Sequence, residues 1–145
     1  MELGTFGAII GFAIELEAGA AQFYEGARQV ERGGGAEETL ARLAEQSTKN
    51  KAVLERTRRE NVAEMILEPI TGLHKEDYPV EFTVGSDMNL GDVLARAGEL
   101  EEKARLFYNV AAEKVSLPEV KRIFKRMATR RADNASALDS VLPST

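Results

Sequence analysis

The sequence predicts an all-α fold, a bundle of four helices arranged as two helical hairpins with a long crossover between them. Two observations predict it. Apolar residues recur at helical spacing in four segments of the 145-residue chain. The second half of the chain also repeats the first at a fixed offset. Since domains of this length are common, residues 1–145 are predicted to form a single domain.

The predicted helices cover about residues 3–30, 36–65, 90–114 and 117–141. Glycines at 33–35 end the first helix and provide a flexible turn. The fourth helix is predicted to open with a capping box at Ser116–Glu119, with Pro118 in its first turn. Residues 66–89 contain two prolines and two glycines, so they are predicted to form the crossover, with a little extended chain around 80–84.

An offset of 84 residues lays the first predicted helix on the third and the second on the fourth. Eight identities support the first alignment. Ala13, Glu15, Leu16, Glu17, Ala20, Phe23, Tyr24 and Ala27 match Ala97, Glu99, Leu100, Glu101, Ala104, Phe107, Tyr108 and Ala111. The chain is therefore predicted to consist of two related hairpins.

Polar residues interrupt the apolar side of each predicted helix at one level. The predicted polar layer contains Glu17, Glu101, Ser47, Asn50, Arg131 and Asn134. Carboxylates in the centre of a bundle are costly unless they are paired, protonated or bound to a metal. The layer is therefore the candidate functional site.

At these residues the sequence resembles the ferritin-like superfamily and, within it, the rubrerythrin-like proteins. The resemblance covers both hairpins and rests on Ala13–Tyr24 and Ala97–Tyr108, which are similar to the family segment A-x-E-x-E-x-x-x-x-x-F-Y. It implies a four-helix bundle with a long crossover between the second and third helices. It also implies that Glu17 and Glu101 occupy di-iron ligand positions.

The chain departs from the family pattern at the other ligand positions. The resemblance implies a Glu-x-x-His motif in the second and fourth helices, where this chain has Ser47–Asn50 and Arg131–Asn134. We therefore expect a metal-free core in which Arg131 binds Glu17, Glu101 or both, and the amides and hydroxyl of the layer satisfy the remaining lone pairs.

Iron or another divalent metal at Glu17 and Glu101, with further ligands from a second subunit, remains the alternative. Tyr24 and Tyr108 are predicted to pack in the core with satisfied hydroxyls, and redox relays are their alternative role. His74 lies in the predicted crossover and is expected at the surface.

We expect a non-catalytic protein with a structural or protein-interaction role, without a cofactor, that forms a homodimer. The apolar residues of the crossover either form the dimer surface or pack along their own bundle. The alternative function is an iron-dependent oxidoreductase or peroxidase of rubrerythrin type, which would use Glu17 and Glu101. The chain has no cysteine and one histidine, which excludes disulfides, thiolate clusters and a two-histidine metal site within one chain.

The net charge of −5 and the pI near 5.1 argue against nucleic acid as a partner, and the basic residues of the fourth helix are expected to form a solvated face. The apolar run from Leu3 to Leu16 is short for a membrane span and has no basic residue before it. We therefore expect a cytoplasmic protein with no membrane association.

Overall fold

A computed structural model describes residues 2–61, 69–85 and 87–141, and within them the chain forms a four-helix bundle. The helices are α1 (Phe6–Val30), α2 (Glu37–Glu60), α3 (Leu90–Lys114) and α4 (Pro118–Ser140). α1 packs against α2 and α3 against α4, so the chain forms the two predicted hairpins. A short 3₁₀ turn, Lys75–Asp77, lies in the crossover, and the described residues contain no β-strand. The predicted fold class is confirmed.

The first hairpin begins and turns through local hydrogen bonds. Thr5 is the N-cap of α1, because its Oγ1 accepts from the amide of Ala8 at 3.0 Å, and the helix therefore begins later than residue 3. After α1, Gly33 has φ +80°, a conformation that glycine adopts without strain. α2 ends at Glu60, and the predicted extension of this helix to residue 65 lies outside the described residues.

The second hairpin caps its helices differently from the prediction. The prediction of a capping box at Ser116–Glu119 is wrong, because Leu117 is the N-cap of α4 and its side chain provides no hydrogen bond. The capping box of this hairpin is at α3, where Asn89 accepts from the amide of Asp92 and Asp92 accepts from the amide of Asn89. Pro118 occupies the first turn of α4 as predicted.

The crossover packs along its own bundle over residues 69–85. Its first residues pair with the N-terminal segment, since the amide of Leu3 donates to the carbonyl of Leu73 at 2.8 Å. Leu73 is fully buried, and the Tyr78 ring packs edge-on against Phe107 at a centroid distance of 5.5 Å. Further along, Phe82 lies directly over Gly19 of α1. This segment therefore covers the side of the bundle that α1 and α3 form.

Among the described residues, α1 is long and apolar enough by length and composition to cross a membrane. The apolar window that meets this criterion is 18 residues long, which is longer than the Leu3–Leu16 run of the sequence analysis, whereas the helix predicted over residues 3–30 was already long enough. More than half of the apolar window of α1 is buried within the bundle. Core helices of bundles and membrane spans both have this composition, so the composition does not distinguish them.

The apolar core has two parts, one on each side of the polar layer. Phe107 and Phe124 belong to the part next to the N-terminus of α1, and Phe23 and Leu40 belong to the other part. Because both parts are closely packed apolar side chains, the polar residues between them are shielded from water.

Candidate functional site

The structure brings all eight predicted polar and tyrosine side chains together, between the two parts of the apolar core. They are Glu17, Tyr24, Ser47, Asn50, Glu101, Tyr108, Arg131 and Asn134, and we call them the central cluster. All eight are buried. Ionic groups in such a position are costly unless they have close partners of opposite charge and hydrogen bonds that replace those to water.

Arg131 of α4 lies between the two carboxylates. Its Nη1 donates to both oxygens of Glu101, at 3.1 Å to Oε1 and 2.7 Å to Oε2. Its Nη2 donates to Glu17 Oε1 and, more weakly, to the Oγ of Ser47 at 3.4 Å. Glu17 lies on α1 and Arg131 on α4, so this guanidinium links the two hairpins.

The two tyrosines cross between the hairpins in opposite directions. Tyr24 of α1 donates to Glu101 Oε2 of α3 at 2.6 Å, and Tyr108 of α3 donates to Glu17 Oε2 of α1 at 2.5 Å. These contacts require α1 and α3 to run antiparallel. Both hydroxyls are satisfied, which agrees with the packing role that the sequence predicts.

The asparagines complete the hydrogen bonding of the carboxylates within each hairpin. Asn50 Nδ2 donates to Glu17 Oε1 at 3.2 Å, and Asn134 Nδ2 donates to Glu101 Oε1 at 3.0 Å. Together with the arginine and the tyrosines, they give every carboxylate oxygen of the cluster at least one donor. The carboxylates therefore have no oxygen without a hydrogen-bond donor.

Two further residues, which the sequence analysis missed, support the asparagines from outside. Arg130 Nη1 donates to the Oδ1 of Asn50 at 2.7 Å, and Gln46 Oε1 accepts from the Nδ2 of Asn134 at 2.8 Å. A signal for them was available, because the 84-residue offset matches Gln46 with Arg130. Each of these bonds joins α2 to α4.

Burial and charge together set the protonation of the cluster. Burial would lower the pKa of Arg131, but the charges of Glu17 and Glu101 outweigh it and raise the pKa well above its usual value. Burial raises the pKa of Glu101, against the opposing effects of the Arg131 guanidinium and the Tyr24 hydroxyl. Burial and the adjacent carboxylates also raise the pKa of Tyr24 and of Tyr108. The arginine therefore stays positive and the tyrosines stay neutral donors.

One buried polar atom of the cluster has no partner. Among the described residues, the Nε–H of Arg131 is the buried side-chain donor without an acceptor. An unsatisfied buried donor typically costs about 1–3 kcal/mol. The Arg131 side chain thus binds the carboxylates through its two Nη groups, and its Nε–H is left without an acceptor.

These residues do not fit the di-iron group that the family resemblance implies. Iron centres of that class need several carboxylate and imidazole ligands, whereas here the amides of Asn50 and Asn134 replace imidazole and a guanidinium lies between the carboxylates. Within residues 2–61, 69–85 and 87–141, no group of three or more His, Cys, Asp or Glu side chains that could hold a metal ion is found. His74 lies in the crossover, half exposed, with its Nε2 3.9 Å from Glu2 Oε2.

Fold and site together define an all-α four-helix bundle with a buried arginine–dicarboxylate centre. No protein-family model matches the chain, and no curated protein matches it. A hypothetical protein from Pyrococcus furiosus has a similar solved structure, with a TM-score of 0.70 and 23% sequence identity. The similarity covers 91% of this chain and 84% of the other. At this level of identity it shows the shared fold.

Proposed function

We propose that this protein is a rubrerythrin-like bundle of the ferritin-like superfamily that works without a metal centre, in a structural or protein-interaction role. In this proposal the Arg131 guanidinium supplies the positive charge that metal ions supply in that class. The observation that carries the proposal is the pair of Arg131 Nη groups, which bind Glu17 and Glu101 at the same time.

Charge is the physical basis of the proposal. A guanidinium does not lose its proton in proteins, so Arg131 presents a permanent positive charge at the place where a divalent cation would have to bind. In a buried site of low dielectric constant, two cations that share two carboxylates repel each other strongly. Metal binding would therefore require Arg131 to leave both Glu17 and Glu101.

The alternative function, turnover of peroxide or oxygen on bound iron, would use the same two carboxylates. Each oxygen of Glu17 and Glu101 accepts at least one hydrogen bond from the protein, so a metal would have to displace several donors at once. The tyrosine hydroxyls serve as donors to those carboxylates, which gives them a structural role. For these reasons we favour the metal-free function.

Thermal unfolding in the presence of chelator or divalent metal tests the proposal. A ligand that binds only the folded state raises the melting temperature. Melts of the wild-type protein in EDTA, in Mn²⁺ and in anaerobic Fe²⁺ are expected to coincide. The matched control is Arg131→Glu, which removes the guanidinium and adds a third carboxylate beside Glu17 and Glu101, and its melting temperature is expected to rise with Mn²⁺.

The two proteins together make the result decisive. A wild-type melting temperature that rises with metal and falls with EDTA would contradict the proposal and favour the oxidoreductase alternative. If Arg131→Glu does not fold, Arg131→Gln serves as the control, because it removes the charge and keeps a side chain of similar size.

A further inference from the structure

A cavity of about 490 Å³ opens between α2 and α4, directly outside the central cluster. Asn50 is fully buried, lines this cavity and binds Glu17 of the cluster with the same side chain. The volume lies in the range of about 300–1,000 Å³ that is typical of small-molecule sites. The described part of the crossover packs elsewhere, where Phe82 lies over Gly19 of α1. The cavity is therefore accessible to a ligand, and its chemistry indicates which ligand fits.

Two matched chains of hydrogen bonds lead from this cavity to the two carboxylates of the central cluster. In one, Arg130 donates to Asn50, which donates to the first carboxylate. In the other, Gln46 accepts from Asn134, which donates to the second carboxylate. Arg130 and Gln46 both line the cavity. A ligand there would therefore be connected to each carboxylate through two side chains.

Arg130 and Gln46 have donors that the rest of the described chain does not use. Nη1 of Arg130 binds Asn50 at 2.7 Å, whereas its Nε and Nη2 have no acceptor among the described residues. Gln46 accepts through its Oε1, and within the same residues its Nε2 has no acceptor. Arg130 is only partly exposed, and a charge that is partly withdrawn from water is costly without a partner. These unused donors therefore favour an anionic ligand.

The side chains that line the cavity are mainly positive. Arg42, Lys49 and Arg130 line it together with one carboxylate, that of Glu45, which forms an exposed ion pair with Lys49 at 3.0 Å. Arg42 and Arg130 form no ion pair with any described residue. The central cluster behind Asn50 contains one more carboxylate than guanidinium, and the two unpaired guanidinium groups exceed that single charge. A cavity with this lining attracts anions, although the full chain has a net charge of −5.

We infer that this cavity binds a small organic molecule with a phosphate group, which accepts hydrogen bonds from Arg130, Lys49 and the Nε2 of Gln46. A phosphate group has three strongly accepting oxygens and can take donors from all three side chains, whereas one guanidinium satisfies both oxygens of a carboxylate. Lys49 would share its ion pair with Glu45, and an exposed pair of this kind contributes little to stability.

The extent of the cavity indicates the rest of the ligand. Arg42 lines the same cavity and lies two helical turns from Lys49 on α2, about 10 Å along the helix axis. The cavity is also much larger than one phosphate ion. A second acidic group at the other end of the ligand, bound by Arg42, therefore fits. The inference goes beyond the proposed function and does not depend on whether the core binds metal.

A small molecule fits the cavity better than a nucleic-acid chain. Among the described residues, no aromatic side chain lines the cavity, so a base would have no stacking partner there. The net charge of −5 on the full chain disfavours a long phosphate backbone that extended beyond the cavity.

Isothermal titration calorimetry at constant ionic strength tests the ligand chemistry. The probes are fructose 1,6-bisphosphate, glucose 6-phosphate, inorganic phosphate and citrate. We expect the bisphosphate to bind most tightly, and glucose 6-phosphate to bind about tenfold more weakly because it lacks the group that Arg42 would bind. Inorganic phosphate should bind more weakly still. Citrate, whose acidic groups are all carboxylates, should also bind about tenfold more weakly than the bisphosphate.

Substitutions of single cations test the site. Arg130→Gln should weaken the binding of both sugar phosphates about tenfold, whereas Arg42→Gln should weaken that of the bisphosphate alone. Because Arg130 also binds Asn50, Lys49→Gln provides a second variant that weakens binding without removing that hydrogen bond. The control Arg126→Gln makes the same charge change one turn earlier on α4, at an exposed residue that does not line the cavity, so its affinities should equal those of the wild type.

Side-chain amide resonances test where the ligand lies. In ¹H–¹⁵N spectra, glucose 6-phosphate should shift the Nε2–H₂ signals of Gln46 and the Nδ2–H₂ signals of Asn50, which line the cavity. The signals of Asn109, exposed on α3, provide the control and should not move.

Four results would overturn the inference. The first is no saturable binding of the bisphosphate at millimolar concentration, and the second is equal affinity for inorganic phosphate and the sugar phosphates. The third is binding that Arg126→Gln weakens as much as Arg130→Gln does, which would indicate general attraction of anions. The fourth is a labelled oligonucleotide that binds more tightly than the bisphosphate and displaces it. None of these results changes the metal content of the core, so failure here is distinguishable from failure of the proposed function.

Discussion

Arg131 takes the place of a serine when the second hairpin is laid on the first, and this difference breaks the symmetry of the central cluster. The other contacts occur in matched pairs. Asn50 donates to Glu17 as Asn134 donates to Glu101, and the two tyrosines exchange hydrogen bonds between the hairpins. A single cation thus serves two carboxylates that are otherwise equivalent.

Removal of the guanidinium should destabilise the fold strongly. Arg131→Ala leaves two buried carboxylates without their cation, and loss of one partner from a buried ionic group typically costs about 3–5 kcal/mol. The measurement is urea unfolding, with stability compared between variants of equal m-value. The control Arg126→Ala, on the exposed face of the same helix, should change stability by less than about 0.5 kcal/mol.

A triple variant separates the cost of the two unpaired carboxylates from the cost of the packing that Arg131→Ala also removes. In Arg131→Ala/Glu17→Gln/Glu101→Gln the stranded charges are absent, so part of the lost stability should return. An Arg131→Ala protein that unfolds at the wild-type urea concentration would show that the guanidinium does not hold the core.

The buried tyrosines predict loss of stability at high pH. Burial and the neighbouring carboxylates raise the pKa of Tyr24 and Tyr108 well above the usual value of about 10. Below about pH 10 the tyrosines keep their protons in both the folded and the unfolded state, so these groups do not make the free energy of unfolding depend on pH. Above it the unfolded state ionises first, so the free energy of unfolding falls as pH rises. A tyrosinate absorbance titration, run with circular dichroism, measures both processes.

Tyr78 provides the control for that titration. It is partly exposed and its pKa is raised less strongly, so it should ionise first in the folded protein. In Tyr78→Phe no tyrosinate should form until the helical signal is lost. Ionisation of Tyr24 or Tyr108 near pH 10 in a folded protein would contradict the structure of the cluster.

The members of the central cluster are predictable from the sequence, whereas their hydrogen bonds are only partly so. Helical spacing and the internal repeat place Glu17, Glu101 and Arg131 at one level. The exchange of hydrogen bonds by Tyr24 and Tyr108 depends on the antiparallel packing of α1 and α3, which the spacing within one helix does not specify. The hydrogen bonds of Gln46 and Arg130 likewise depend on how α2 packs on α4.

At the scale of elements, the helices are more predictable than their ends and the crossover. Amphipathic spacing extends over many residues, so α3 begins and ends where predicted. A cap depends on one or two side chains, and Ser116 lies one residue too early to cap α4. The course of the crossover depends on which helix offers room for its aromatic residues, and glycines on α1 provide that room.

Gly19 allows the crossover to approach α1. A Cβ at this position would lie 2.5 Å from the Phe82 ring, closer than side chains tolerate, so Gly19→Ala should displace the crossover and cost about 1–3 kcal/mol. The control is Gly11→Ala on the same helix, where a Cβ meets nothing within 4 Å. It should stabilise the protein by about 0.5–1 kcal/mol through helix propensity.

Thermal melts of the two alanine variants compare these effects directly. In a protein that already carries Phe82→Ala, the further substitution Gly19→Ala should lower the melting temperature less than it does in the wild type, because the ring that the new Cβ would meet is absent. Equal melting temperatures for Gly19→Ala and Gly11→Ala would contradict the packing of the crossover on α1.

At the scale of the whole molecule, the repeat makes two hairpins that share one centre. Each hairpin contributes one carboxylate, one tyrosine and one asparagine. Among the described residues, the side-chain hydrogen bonds that join the hairpins lie at the level of the central cluster or just outside it. The guanidinium of Arg131 therefore provides the ionic link between the hairpins, and the two parts of the apolar core pack them together on either side of it.

Elemental analysis of the purified protein tests this central claim most directly. The protein is prepared without chelator and measured again after anaerobic loading with ferrous iron and removal of free metal. We predict that both samples contain no more iron, manganese or zinc than the buffer blank, because Arg131 occupies the place of the cation. Stoichiometric metal that is lost in Glu17→Ala and in Glu101→Ala would contradict the account and would make peroxide turnover the next activity to assay.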